Sequence, residues 1–206
     1  MQQYSHIIFD LDGTLIDSAQ GIYSALSIAC RNVDGTSFSL NNLTIGPPIK
    51  NMLQEVANHY SKDQIIRAIN IFREEYDNTL WEDFEPYPDV IDELKYFHEL
   101  GLKLSIVTNK PSKPSKKILS KMGLSSIFNE TACFNKQLHT SKTEVLSEVL
   151  IAQESSIMVG DTYADYQAAK ENNIHFCYCK YGYGGSENYE ITINKFYDLR
   201  NILLVN

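Results

Sequence analysis

Four short apolar runs along the chain have the length and composition of buried β-strands: residues 7–9, 104–107, 157–159 and 175–178. Each is too short to be a helix, and uninterrupted apolar runs of this kind are typical of strands covered on both faces of a parallel sheet. Three of the runs end directly on polar residues, at Asp10, at Thr108 and at Gly160-Asp161. The pattern therefore predicts strands that carry polar groups at their carboxyl ends.

Segments with helical spacing of apolar residues separate these runs: 90–100, 118–122, 145–150 and 166–169. The first two close on Gly101 and Gly123, and glycine is common directly after a helix. Strands that alternate with helices predict an α/β fold, a doubly wound parallel sheet with helices on both faces.

The stretch 18–84 interrupts this alternation with three helix-like blocks and no convincing strand. Asp17-Ser18 suits the start of its first helix. The proline-rich segment 85–89 marks the return of the chain and suits a hinge. We therefore predict a small helical bundle at 18–84, inserted into a core formed by 1–17 and 85–206.

The composition is ordinary for a globular protein, with 43% hydrophobic and 21% charged residues among 206. The net charge of −8 argues against a general affinity for nucleic acid or for an anionic membrane. No apolar run approaches the ~20 residues that span a bilayer, and the first residues do not resemble a signal peptide. The four cysteines are expected to be reduced thiols. These features predict a cytoplasmic protein, either a monomer or a homodimer.

The polar residues Asp10, Thr108 and Asp161 should meet, because the carboxyl ends of parallel strands lie at one edge of a sheet. Neighbouring carboxylates repel each other and tend to keep a proton unless a cation lies between them. A hard divalent ion with oxygen ligands fits, and Mg²⁺ is the usual choice where a phosphate supplies a further ligand.

The loop after the first strand has the composition of a reactive turn. Asp10 and Asp12 are two residues apart, and Gly13 lets the backbone turn tightly. Amides from Leu11 to Gly13 can then point at an anion, while Thr14 holds the turn. One carboxylate is thus available to attack phosphorus and the other to move a proton.

Further residues at the same edge complete the parts needed for phosphoryl transfer. Thr108-Asn109 offers a hydroxyl and backbone amides, and Lys142 offers a point charge for phosphoryl oxygens. Asp161 and Asp165 add two acids. Charge spread over donors and a cation is the usual way in which such reactions are accelerated.

With these motifs in order, the chain resembles the haloacid dehalogenase superfamily, in its phosphatase branch with a helical cap inserted after the first strand. The resemblance implies a Rossmann-like core. The stretch 17–22 and Pro47-Pro48 after Gly46 resemble the phosphoglycolate phosphatase-like subgroup.

The resemblance implies a role for each matched residue. Asp10 would form an aspartyl-phosphate, and Asp12 would protonate the leaving oxygen and then activate water. The implied phosphate-binding residues are Leu11, Gly13, Thr108, Asn109 and Lys142. The implied Mg²⁺ site consists of Asp10, Asp12, Asp161 and Asp165. The substrate would be a small phosphorylated metabolite such as phosphoglycolate, a nucleotide or a sugar phosphate.

Three alternatives remain open. A phosphomutase similar to β-phosphoglucomutase uses the same core and returns the phosphoryl group to its substrate, and an inorganic pyrophosphatase is also compatible with a small cap. A receiver-type switch is phosphorylated on aspartate as well, but that class is about half this length and lacks the helical insertion.

Two segments near these motifs are interpreted more simply. The basic run Lys110, Lys113, Lys116 and Lys117 is expected to be a solvated helix face; the alternatives are attraction of an anionic substrate and binding of nucleic acid. The tyrosine-rich segment 178–185 is expected to be a flexible loop near the carboxyl edge of the sheet.

Overall fold

A six-stranded parallel sheet forms the centre of the computed structural model, which describes residues 3–185 and 188–204. The strands are β1 (His6–Phe9), β4 (Lys103–Thr108), β5 (Glu130–Cys133), β6 (Ser156–Gly160), β7 (His175–Cys179) and β8 (Ile191–Ile193). Their order across the sheet is β5-β4-β1-β6-β7-β8, and every neighbouring pair is parallel. β1 therefore lies between β4 and β6. The parallel sheet confirms the predicted α/β fold class.

The central strands are buried along their whole length. All four residues of β1 and all five of β6 are buried, as expected for strands with helices on both faces. β5 and β8 were not predicted from the sequence. β5 lies at an edge and includes exposed and half-buried positions, so its sequence carries no apolar run that marks it as a strand.

Helices cover the sheet: α4 (Val90–Glu99), α5 (Ser112–Lys121), α6 (Lys142–Val149), α7 (Tyr163–Glu171) and α8 (Leu199–Leu203), the last preceded by a short 3₁₀ turn at Phe196–Asp198. Gly101 and Gly123 follow α4 and α5 with φ angles of 76° and 71°, the left-handed conformation that ends many helices. One core cluster joins β1, β4 and β6 to α6 and α7; it includes Ile8, Val107, Val145, Leu146, Met158 and Ala168.

The chain divides into two compact units, Met1–Ile16 with Pro86–Asn206 and Asp17–Glu85. The second unit is helical and contains α1 (Ala19–Asp34), α2 (Ile49–Val56) and α3 (Lys62–Asn78), with 3₁₀ turns at Leu40–Asn42 and Leu80–Glu82. α3 begins at a capping box in which Ser61 and Gln64 bond each other's backbone amides, at 3.3 and 3.0 Å.

Two short strands, β2 (Ile16–Asp17) and β3 (Glu85–Pro86), form a separate two-stranded sheet where the chain leaves the core and returns to it. Among the described helices, none has both the length and the apolar character that crossing a membrane requires.

Candidate active site

The loop after β1 turns tightly and holds Asp10 at the edge of the sheet. The amide of Gly13 donates to the carbonyl of Ile16 at 2.8 Å, and the amide of Ile16 donates to the carbonyl of Leu11 at 3.1 Å. Gly13 has a φ of 83°, a conformation that favours glycine. Because the Gly13 amide is engaged within the turn, its part in phosphate binding stays a prediction, as does that of Leu11.

Lys142 begins α6 and contacts two carboxylates. Its Nζ lies 2.7 Å from Oδ1 of Asp10 and 2.5 Å from Oδ1 of Asp165, and all three side chains are buried. Burial alone would favour the neutral amine, but the two carboxylates outweigh it and raise the pKa of Lys142. The lysine is therefore a positive charge in direct contact with the predicted nucleophile.

Asp161 follows β6 directly and is fully buried. Its Oδ1 accepts a hydrogen bond from the Thr14 hydroxyl at 3.2 Å, and its Oδ2 accepts one from the Tyr183 amide at 2.7 Å. Burial is the main cause that raises the pKa of Asp161 well above its ordinary value, and Asp165 and Asp10 add to it. The two hydrogen bonds thus fix the Asp161 carboxylate in position, but the neighbouring groups do not supply enough positive charge to offset its burial.

Asp165 lies in the first turn of α7 and links two parts of the site. Its Oδ2 accepts hydrogen bonds from the Thr162 amide at 2.9 Å and from the Thr162 hydroxyl at 2.7 Å, which caps the helix. Its Oδ1 contacts Lys142. Asp165 therefore both starts α7 and orients the lysine.

Three buried acids could hold a metal ion together. Asp10, Asp161 and Asp165 each offer a carboxylate oxygen within 4.8 Å of the others. Burial raises the pKa of Asp10 to about 7; Lys142 opposes this rise, and Asp165 adds to it. A set of oxygen ligands that repel one another fits a hard divalent cation, because the cation would stabilise the ionised forms.

Asp12 is paired with a lysine from the neighbouring strand end. Oδ1 of Asp12 lies 3.0 Å from Nζ of Lys110. Thr108 ends β4, is buried, and accepts a hydrogen bond from the Lys110 amide at 3.1 Å. Asn109 stands between these two residues. The structure therefore places Thr108 at the end of the strand next to β1 and Asn109 directly after it, beside the residue that pairs with Asp12.

The expectation of a solvated basic face was wrong for Lys110. Only 6% of this residue is exposed, and it precedes α5 rather than lying on it. Lys113 and Lys116 lie on α5 and are exposed, as expected. The signal that distinguishes Lys110 is its place directly after Thr108-Asn109, since residues at that point face the carboxyl edge of the sheet.

A second contribution that sequence reasoning missed is the backbone of residues 181–184. The amide of Tyr183 bonds Asp161, and the Tyr181 hydroxyl donates to the carbonyl of Thr14 at 2.8 Å. The sequence signal was the alternation of tyrosine and glycine, which predicted a loop near the carboxyl edge of the sheet but not its bond to Asp161.

Comparisons with known proteins identify the family to which this chain belongs. A family model described as haloacid dehalogenase-like hydrolase matches residues 7–179. A phosphoglycolate phosphatase from Aquifex aeolicus is 31% identical over 184 residues, which cover 86% of this chain and 85% of the relative.

Solved structures show the same fold over the whole length. A haloacid dehalogenase-like hydrolase from Streptococcus pneumoniae has a TM-score of 0.89 at 25% identity, covering 99% of this chain and 100% of that chain. Protein tyrosine kinase A (PtkA) of Mycobacterium tuberculosis has a TM-score of 0.85 at 26% identity, covering 98% and 99%. The resemblance predicted from the motifs is confirmed: the chain belongs to the haloacid dehalogenase-like hydrolases and is a phosphatase of that family.

Proposed function

We propose that the chain is a Mg²⁺-dependent phosphatase that hydrolyses a small phosphomonoester through an aspartyl-phosphate on Asp10. The observation that carries this proposal is the buried group around Asp10. Lys142 Nζ lies 2.7 Å from its carboxylate, and oxygens of Asp161 and Asp165 complete a cluster within 4.8 Å. A carboxylate nucleophile requires such neighbouring positive charge, because it must approach an anionic phosphoryl group.

In the first step, a carboxylate oxygen of Asp10 attacks phosphorus, and the bond from phosphorus to the substrate's ester oxygen breaks. Asp12 gives its proton to that oxygen, so the leaving group departs as a neutral alcohol. Lys142, Thr108 and Asn109 hold the phosphoryl oxygens during transfer, and the lysine offsets their negative charge.

In the second step, water attacks the phosphorus of the aspartyl-phosphate. Asp12 takes the proton of this water, and the bond between phosphorus and the Asp10 oxygen breaks. Inorganic phosphate leaves, and both acids return to their starting protonation states. The use of water as acceptor is what separates this reaction from that of a phosphomutase.

Mg²⁺ is the cofactor that fits this donor set. Asp10 and Asp161 would hold it, together with the backbone carbonyl of Asp12, and with Asp165 in support. When bound, the ion supplies positive charge that stabilises the transferring phosphoryl group. Asp165 already contacts Thr162 and Lys142 with its two oxygens, so part of its support is to orient the lysine.

Phosphoglycolate is the first candidate substrate. The relative from Aquifex aeolicus carries that activity in its name. The buried ammonium of Lys110, 3.0 Å from Asp12, adds a second positive charge beside the proposed proton donor. This charge suits a substrate with a second anionic group near its phosphoryl group, and phosphoglycolate has a carboxylate there.

The helical bundle at 18–84 would serve as the cap that selects the substrate and keeps bulk water away from the reacting atoms. A small phosphorylated metabolite in the cytoplasm, rather than nucleic acid or membrane, remains the proposed partner.

The test is a phosphate-release screen over phosphoglycolate, nucleotides, sugar phosphates and pyrophosphate, each with Mg²⁺ and with a chelator. We expect Mg²⁺-dependent release, fastest from phosphoglycolate, and none from the Asp10→Asn variant. Conversion of glucose 1-phosphate to its isomer without free phosphate would instead favour a phosphomutase, and preference for pyrophosphate would favour a pyrophosphatase. The proposal is wrong if no substrate gives metal-dependent release.

A further inference from the structure

We infer that residues 181–184, the tyrosine–glycine loop, position the Asp161 carboxylate for the metal ion. The inference rests on the proposed function, because it assigns this loop a part in the Mg²⁺ site. The loop is not proposed to supply a metal ligand of its own. Its effect passes through Asp161.

Each oxygen of the Asp161 carboxylate has one donor that fixes its direction. The Tyr183 amide bonds Oδ2 at 2.7 Å, and the Thr14 hydroxyl bonds Oδ1 at 3.2 Å. An ionised carboxylate has about four lone-pair sites, so two donors leave sites available for a cation. The backbone amide matters most for orientation, because it belongs to the main chain and has no rotamer of its own.

The loop approaches Asp161 more closely than any side chain would permit. A Cβ built on Gly182 would lie 2.6 Å from Oδ2 of Asp161 and closer still to its Cβ, well inside the 3.0 Å below which real Cβ atoms essentially never lie. A Cβ on Gly184 would meet the backbone carbonyl of Asp161. Glycine at both positions is therefore what brings the Tyr183 amide into bonding distance.

The loop after β1 also approaches Asp161 closely, at the same carboxylate oxygen. A Cβ built on Gly13 would lie 2.6 Å from Cγ of Asp161 and 2.8 Å from the ring of Tyr183. The Tyr181 hydroxyl ties the two loops together through the Thr14 carbonyl, at 2.8 Å. Thr14 thus bonds the loop with its carbonyl and Asp161 with its hydroxyl.

The loop residues therefore contact the proposed metal ligand Asp161 and orient its carboxylate. Partners that orient a ligating carboxylate commonly change metal affinity or activity by about 10–100-fold when they are removed. Gly182 and Gly184 would act on the ion only by keeping the backbone close to Asp161, so they are positioning residues.

The loop offers a matched pair of substitutions for a test. Gly182→Ala places a methyl group against Asp161, whereas Gly185→Ala places one where no described atom outside the neighbouring residues lies within 4 Å. We expect Gly182→Ala to raise the dissociation constant for Mg²⁺ by about 10–100-fold, measured by calorimetric titration of the metal alone. Gly185→Ala should match the wild type.

Two further measurements separate positioning from folding. The phosphate-release rate of Gly182→Ala should recover towards the wild-type rate at high Mg²⁺, because the nucleophile and Lys142 are unchanged. Tyr181→Phe adds no atoms and removes the hydroxyl that bonds the Thr14 carbonyl, so it should weaken Mg²⁺ binding about 2–10-fold. It also serves where Gly182→Ala does not fold.

The outcomes distinguish this inference from the function on which it rests. If the wild type neither binds Mg²⁺ nor releases phosphate with it, the proposed function fails. If the wild type does both, and Gly182→Ala and Tyr181→Phe bind Mg²⁺ as tightly, only the role of the loop is overturned. Lower thermal stability of the metal-free variants with unchanged Mg²⁺ affinity would also overturn it.

Discussion

The two ends of β1 both hold buried polar groups, but the groups at the two ends differ in whether their charges balance. At the amino end, Nε2 of His6 is hydrogen-bonded with Oγ of Ser105 at 2.9 Å, and Nδ1 lies 3.4 Å from Glu154. Burial lowers the pKa of His6 to about 4, so the ring is neutral near pH 7. Glu154 also lies 3.5 Å from Nζ of Lys103, so one negative and one positive side chain accompany the neutral ring and the charges of this cluster balance.

At the carboxyl end, the charges do not balance. Four carboxyl groups face two ammonium groups, so two formal negative charges are in excess when every acid is ionised; the residues are Asp10, Asp12, Asp161, Asp165, Lys110 and Lys142. Burial raises the pKa of Asp10 to about 7 despite the lysine beside it. A structural cluster would have been neutralised like the one at His6. The excess of buried negative charge is instead suited to a divalent cation, whose charge can in turn offset that of an anionic phosphoryl group.

The sharpest way to break this comparison is to replace one residue at each end of β1. Asp10→Asn removes the proposed nucleophile, and we expect phosphate release to fall by about 10⁴-fold or more. His6→Gln changes the amino end and should leave kcat within about twofold while lowering thermal stability, as buried substitutions usually do. Equal losses of activity in the two variants would contradict the distinction.

Lys142→Met tests whether charge at the carboxyl end serves the reaction. The variant removes the ammonium that contacts Asp10 and Asp165, and we expect kcat to fall by about 10²–10³-fold, the usual cost of losing one group that stabilises transition-state charge. Lys113→Met, on the exposed face of α5, is the control and should change kcat little. A similar kcat for both variants would assign the reaction's positive charge to another group.

Lys110→Met tests the proposed contact with a second anionic group of the substrate. A charge-assisted hydrogen bond lost at such a contact corresponds to about 10–100-fold in affinity, so KM for phosphoglycolate should rise by that amount. Para-nitrophenyl phosphate has no carboxylate, and its KM should change less. An equal rise for both substrates would show that Lys110 acts on Asp12 and not on the substrate.

Much of the fold and the meeting of the acids with Lys142 could be predicted from the sequence, for identifiable reasons. Asp10 and Asp161 directly follow uninterrupted apolar runs, and Lys142 begins a helix with regular apolar spacing. In a parallel sheet, residues at those points meet at one edge. Local pattern and topology together were therefore sufficient to place the acids and this lysine.

The remaining features depend on contacts that residue types do not reveal. The bond from the Tyr183 amide to Asp161 is made by the main chain, and any residue except proline would offer the same donor there. Lys110 belongs to a run of lysines that looks solvated, and only the ordered end of β4 shows that its side chain is buried. β5 has no apolar run because it lies at an edge of the sheet.

The smallest expected effect is a difference in how stability depends on pH in the metal-free protein. The carboxyl of Asp10 has an ordinary pKa of 3.8 when the chain is unfolded and about 7 when it is folded. Between these values the folded state binds more protons, so this group lowers the free energy of unfolding as pH rises. His6 acts in the opposite sense, because its folded pKa of about 4 lies below its ordinary 6.5.

Stability due to the neutral His6 ring is therefore present above pH 6.5 and is lost as pH falls towards 4. Between pH 4.5 and 6.5, the slope of the thermal midpoint against pH should be more positive for Asp10→Asn than for the wild type. For His6→Gln, the same slope should be less positive than for the wild type. The shifts should be about 2–4 °C for each kcal/mol in a chain of this size, and calorimetry with a chelator measures them. If the curves of thermal midpoint against pH are parallel for the two variants, the ends of β1 do not differ in proton binding. A saturating Mg²⁺ concentration should remove the contribution of Asp10 to the pH dependence and leave that of His6.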